Sequence, residues 1–231
     1  MLLQSKCIVM GGEGGQGVQA AADILAQAGH EEGRKALYIP NFGIEQRGGV
    51  SLAFVQLGDE PIGSPKFQQA HLVVALSARS LERLEQYMGE ESFILYDSSL
   101  LAPPEVSDKV VGWQAYDTSA PDAFAERGHT GKRQEFPRLK KDVRSILGIP
   151  ALEMAMEGLH PRVANMVILG AAAFLLEMVR LESLKAALEE RLAAKFALDP
   201  ELKKKNFKGL ETGWQAAQQM LADAAAKEVR S

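Results

Sequence analysis

The sequence predicts an α/β fold: a three-layer α/β/α domain with a mostly parallel sheet, a Rossmann-like start and a helical C-terminal portion. Three observations carry this. A short apolar run at residues 6–10 precedes a glycine-rich stretch at 11–17, and Val18, Ala21, Ala22, Leu25 and Ala28 then recur at helical spacing. Further short apolar runs return downstream at 36–39, 50–57, 72–76 and 93–96. From Ala151 onward the pattern is helical.

The elements follow in order. Residues 6–10 (KCIVM) form a short buried strand, and 11–17 form a turn. The next helix runs to about Glu32, with Gly33 at the C-cap position. With a strand at 36–39 this makes a β-turn-α-β unit, which implies a parallel sheet and a right-handed crossover. The loop at 41–49 (NFGIEQRGG) leads into 50–57, which is apolar on both faces, as in a central strand. Residues 58–65 are turn-rich, 72–76 (LVVAL) are a buried strand, and a helix covers 80–88. A strand at 93–96 ends at Asp97, and 110–112 is a weaker strand. Residues 118–144 carry prolines, glycines and a basic balance, and read as an insertion or mobile segment within a single domain over 1–231. The apolar helix at 163–179 is interrupted by Asn165 and ends short of the ~20 uncharged residues that a membrane span needs. Leu184, Leu188, Leu192 and Phe196 form one helical stripe, and Leu210, Trp214, Ala217 and Leu221 another.

Composition excludes several function classes. The 231 residues suffice for one large α/β domain. A net charge of −4 and 6% aromatics argue against nucleic acid, which demands a basic face or stacking platforms. Cys7 is the single cysteine, so no disulfide framework or four-thiolate iron–sulfur cluster can form on this chain alone. His30, His71, His129 and His160 show no ligand spacing, and no metal site is expected. No basic-then-apolar leader stands at the N-terminus, and a cytoplasmic protein without membrane contact is expected.

Two loops carry the chemistry. Gly12-Glu13-Gly14-Gly15-Gln16-Gly17 satisfies G-x-G-x-x-G between a strand and a helix. Glycines allow a tight turn and close approach, and the helix N-terminus behind them favours an anion. A stand-alone NAD- or FAD-binding oxidoreductase is the competing reading. Against it, the second strand ends Ile39-Pro40-Asn41 with no acid to hold a ribose. No Lys-Ser/Thr follows the glycines, so this is not a nucleoside-triphosphate loop. A bare strand-to-helix turn without ligand is the plainer alternative. In the second loop, Glu45-Gln46-Arg47 stand before Gly48-Gly49, and Arg47 could hold a carboxylate or phosphate bidentately. The plainer alternative is a solvated pair of charges and a glycine bend.

The pairing of GGEGGQGV (11–18) with GIEQRGG (43–49) closely resembles the γ subunit of 2-oxoacid:ferredoxin oxidoreductases. Ile62-Gly63-Ser64-Pro65, the stretches 149–151 and 162–170, and Asn206 with Gly213 are similar to later parts of that family. The resemblance runs from about Lys6 to about Ala217, with residues 118–144 as the departure. It implies a complex that oxidatively decarboxylates a 2-oxoacid to an acyl-coenzyme A. Thiamine diphosphate, magnesium and iron–sulfur clusters are then borne by thiamine-binding and ferredoxin-like partner subunits, and electrons pass to ferredoxin or flavodoxin. The chain lacks a Gly-Asp-Gly stretch with paired asparagines, so it is expected to bind no such cofactor alone and to supply no catalytic residue. It would help form or cover the cofactor and coenzyme A site. The implied contact residues are Gly12, Gly14, Gly15, Gln16, Gly17, Glu45, Gln46, Arg47, Gly48, Gly49 and Asn165.

Other residues have plainer roles. Asn165 in an apolar helix needs a hydrogen bond, either structural or bracing the glycine loop. Asp97 at a strand end reads as a turn residue, although it could face a site. Cys7 reads as packing, and Lys203, Lys204, Lys205 and Lys208 as a solvated face.

Overall fold

The computed structural model describes residues 5–42, 49–101 and 134–228. Strand β1 (Ser5–Glu13) lies inside the sheet because Ile8, Val9 and Met10 are apolar on both of its faces and buried. It runs three residues beyond the apolar stretch, so Gly11, Gly12 and Glu13 belong to the strand and not to the turn. Helix α1 (Val18–Glu31) buries Ala21, Ala22, Leu25 and Ala28, as its spacing predicts. Strand β2 (Lys35–Asn41) follows, and then β3 (Val50–Gly58).

Here the expected crossover is corrected. β3 runs antiparallel and inserts between β1 and β2, giving the order β2-β3-β1-β4-β5-β6. Burial explains the arrangement. β3 is buried along nearly its whole length, while β2 is half-buried with exposed ends, so β3 takes the interior place and β2 the edge. β4 (Leu72–Ala75), β5 (Phe93–Asp97) and β6 (Ser145–Ile149) pair in parallel on the other side of β1. The sheet is therefore mixed, with its parallel part on one side. β6 is an element that the sequence reading did not assign.

Helices α1, α4 (Ala164–Leu176), α5 (Leu181–Leu198) and α6 (Pro200–Glu228) cover one face of the sheet. The short α2 (Ala78–Leu84) lies on the other face, and α3 (Ala151–Met156) follows β6. The expected weak strand at 110–112 lies outside the described residues, as does most of the segment 118–144. Its described part packs on the second face through Phe136, Leu139 and Val143. Among the described residues, no helix is long and apolar enough to cross a membrane.

α4 is buried almost all round and packs backbone to backbone against α6. A Cβ at Gly170 would overlap the Leu210 carbonyl, and one at Gly213 would overlap the Val167 carbonyl. Backbone atoms cannot step aside as a flexible side chain can. Gly213→Val is therefore expected to cost about 2–3 kcal/mol through overpacking. Urea unfolding of the purified variant measures this, with Leu198→Ala at an exposed helix end as the neutral comparison.

Candidate functional site

The glycine turn sits at the carboxyl end of β1. Its glycines do different work. Gly12 lies within β1, where a Cβ would stand 2.7 Å from both Gln16 Oε1 and Val18 Cγ2. Gly14 and Gly15 form the exposed tip, and Gly15 has φ 99°. Gly17, with φ 75°, is the N-cap of α1, and a Cβ there would overlap Asn165. Left-handed backbone explains glycine at 15 and 17, and contact explains it at 12.

Gln16 closes the turn. Its Oε1 accepts from Glu13 N–H at 2.6 Å, and its Nε2 donates to Leu76 O at 3.0 Å. Its own backbone N–H donates to Glu13 O at 3.1 Å. From α4, Asn165 Nδ2 lies 3.5 Å from Gly17 O, at the outer limit of a hydrogen bond, while its Oδ1 is buried without a partner. Both readings of Asn165 thus meet in one contact: it is a structural bond, and it braces the glycine turn.

The second loop reaches the first through Gly49, whose carbonyl accepts from Gly14 N–H at 3.2 Å. Gly12, Gly14, Gly15, Gln16, Gly17, Gly49 and Asn165 are thereby brought together from β1, α1, the head of β3 and α4. Glu45, Gln46, Arg47 and Gly48 lie outside the described residues.

Three neighbours escaped the sequence reading. Arg79 Nη1 lies 3.9 Å from Glu13 Oε1, where a reciprocal Ser77–Ser80 capping box starts α2. Leu76 anchors Gln16. Phe42, at the end of β2, is 70% exposed. Glu13 stands inside the motif and could have been weighed, but the approach of Arg79 depends on β1 and β4 being neighbours.

The turn does not fit a dinucleotide. In such a site the glycine N–H groups face the pyrophosphate, and an acid at the end of the neighbouring strand holds the ribose. Here β3 separates β2 from β1, and β2 ends in Pro40-Asn41. Gln16 already occupies the Glu13 N–H.

Asp97 is fully buried at the end of β5. Its carboxylate accepts from Ser99 N–H at 3.0 Å, making a turn, and from Ala151 and Leu152 N–H at 3.1 and 3.2 Å, pinning the start of α3. Burial raises its pKa to about 6, against the lowering effect of these hydrogen bonds. Burial also pushes the Cys7 thiol up, which suits packing and not reactivity. Lys203, Lys204 and Lys208 pair with Glu189, Glu201 and Glu211, as a solvated face would.

The family of pyruvate ferredoxin/flavodoxin oxidoreductases matches over residues 7–228. The chain belongs to this family. In extent it corresponds to the family's γ subunits, and the stand-alone dinucleotide enzyme is not favoured. The γ subunit common to the pyruvate and ketoisovalerate oxidoreductases of Pyrococcus abyssi is 26% identical over 208 residues, covering 90% of this chain and 94% of that one. Ketoisovalerate oxidoreductase subunit VorA of Methanothermobacter thermautotrophicus is 31% identical over 163 residues. That match covers 71% of this chain but only 27% of VorA, so the chain spans about a quarter of that relative. The keto/oxoacid ferredoxin oxidoreductase γ subunit of Geobacter sulfurreducens has the same fold, with a TM-score of 0.63, 22% identity and coverage of 93% and 99%. The 2-oxoglutarate:ferredoxin oxidoreductase of Magnetococcus marinus, solved with 2-oxoglutarate, coenzyme A and succinyl-CoA bound, gives a TM-score of 0.69 at 21% identity. It covers 94% of this chain and 31% of that one.

Because the folded pKa of Asp97 lies above the usual aspartate value, its contribution to stability is complete at low pH and lost as pH rises through about 6. Wild type should therefore lose stability relative to Asp97→Asn between about pH 4 and about pH 7. Paired urea titrations across that range check the sign.

Proposed function

We propose that this chain is the non-catalytic γ subunit of a 2-oxoacid:ferredoxin or flavodoxin oxidoreductase that converts a 2-oxoacid to acyl-coenzyme A. The exposed glycine tip helps wall the coenzyme A site beside a partner chain. The carrying observation is the Gly14–Gly49 hydrogen bond, which brings the last residue of the second motif loop to the glycine tip. Thiamine diphosphate, magnesium and iron–sulfur clusters sit in thiamine-binding and ferredoxin-like partners and supply the decarboxylation and electron transfer. With one cysteine, this chain fits a reducing cytoplasm.

The chain's own residues supply surface and charge. Without side chains, Gly14 and Gly15 let a ligand or partner backbone come close. The first turn of α1 presents N–H groups and the positive end of the helix dipole, which suit a phosphate. Arg79 adds a cation at the same edge of the sheet, and Phe42 offers an apolar contact to a partner. The coenzyme's pyrophosphate would approach from outside the tip, where, chain neighbours aside, no atom of the described residues lies within 4 Å of the place a Gly15 Cβ would take.

The test is co-expression with thiamine- and cluster-bearing subunits, followed by 2-oxoacid-dependent viologen reduction. The isolated chain should show no turnover, and the assembled complex should depend on coenzyme A. Gly15→Val should lower coenzyme A-dependent turnover about tenfold in the assembled complex, because a branched side chain both strains a left-handed residue and crowds the tip. Turnover by the chain alone, or full activity of assembled Gly15→Val, contradicts this function.

A further inference from the structure

We propose that Gln16 is a positioning residue that sets the shape of the glycine turn for coenzyme A docking, acting through Glu13 and Gly14 and not by touching the ligand. This rests on the γ-subunit reading above and assigns one residue a defined task within it.

The carboxamide works in two directions at once. Its oxygen accepts the Glu13 N–H at 2.6 Å, and its nitrogen donates to Leu76 O at 3.0 Å. The turn is closed a second time by the Gln16 backbone N–H on Glu13 O. Leu76 is itself tied to β1, through its N–H to Gly11 O at 2.9 Å. Hydrogen bonds and chain therefore link Gly11, Leu76, Gln16 and Glu13 in a closed ring. The exit of β1, the exit of β4 and the turn become one unit.

Packing makes the unit specific. A Cβ at Gly12 would stand 2.7 Å from Gln16 Oε1, so the carboxamide lies directly against the Gly12 backbone. The next residue after the clamped Glu13 is Gly14, which donates to Gly49 and so holds the head of β3. The tip is thus held from behind, by Gln16, and at Gly15 no described residue beyond its chain neighbours comes within 4 Å of a Cβ position.

Only glutamine supplies what the position uses. It needs one acceptor and one donor on a stem of this length. Glutamate keeps the acceptor for Glu13 N–H but turns an oxygen toward the Leu76 carbonyl. Leucine supplies neither and leaves an N–H and a carbonyl unsatisfied.

The test uses the co-expressed complex, with initial rates measured against coenzyme A concentration. Gln16→Leu should raise KM for coenzyme A about tenfold, with kcat at saturating coenzyme A falling less than about threefold. Gln16→Glu should lie between the two, and Leu198→Ala should follow the wild type. A merely structural role lowers kcat or the yield of complex and leaves KM where it was, and that result overturns the proposal. Should Gln16→Leu fail to assemble, Gln16→Glu decides on the same split. Hydrogen exchange in the uncomplexed full-length chain gives an independent reading. The Glu13 and Gly14 amides should exchange faster in Gln16→Leu, and unchanged exchange in that variant overturns the clamp. A wild-type complex that needs no coenzyme A sinks the γ-subunit reading itself and this inference with it. A coenzyme A-dependent wild type with unmoved variants sinks the inference alone.

Discussion

Glu13, at the end of β1, pairs with Val50, at the start of β3. Antiparallel pairing places the exit of one strand beside the entrance of the other. The glycine turn leaves β1 at this point and the second motif loop enters β3 at the same point. Had β2 taken the place next to β1, as in a parallel crossover, Gly49 would stand a strand away from Gly14. The meeting of the two loops therefore depends on one register, and the Gly14–Gly49 hydrogen bond is its signature.

The rest of the molecule holds that register. α1 springs from the turn and buries its apolar face against the sheet beside α4, α5 and α6. α4 approaches α6 closely enough that only glycine fits at 170 and 213. The same helix carries Asn165 to Gly17, so the closest packing in the helical layer also sets the distance from that layer to the turn. In the parallel part of the sheet, Asp97 joins the end of β5 to the start of α3 at the cost of a buried carboxylate. The Asn165 and Asp97 contacts fix backbone at the carboxyl ends of β1 and β5, where open α/β sheets place their sites.

Much was legible because it depends on local order. The apolar spacing of α1, the buried run of β4 and the stripes of α5 and α6 appear where periodicity puts them. β6 was not legible. Its five residues (SILGI) follow a basic stretch containing a proline, and only pairing with β5 makes them a strand. The boundary of the glycine turn shifted for a similar reason. Gly11 and Gly12 have no side chains to signal a strand, yet β3 and β4 on either side hold Gly11 in the ladder. Gln16 was legible as important but not as a clamp, since its partner Leu76 lies 60 residues away in sequence.

By itself the sequence determined the α/β class, the helical C-terminal portion and the two loops whose pairing marks the family. These follow from the spacing of apolar residues and from glycines, both of which act over a few neighbours. Tertiary structure alone decided the strand order, the sixth strand and the meeting of Gly14 with Gly49. The physical reason is competition for the interior. β3 has more apolar surface to remove from water than β2, and it takes the place beside β1 that chain order would have assigned to its neighbour.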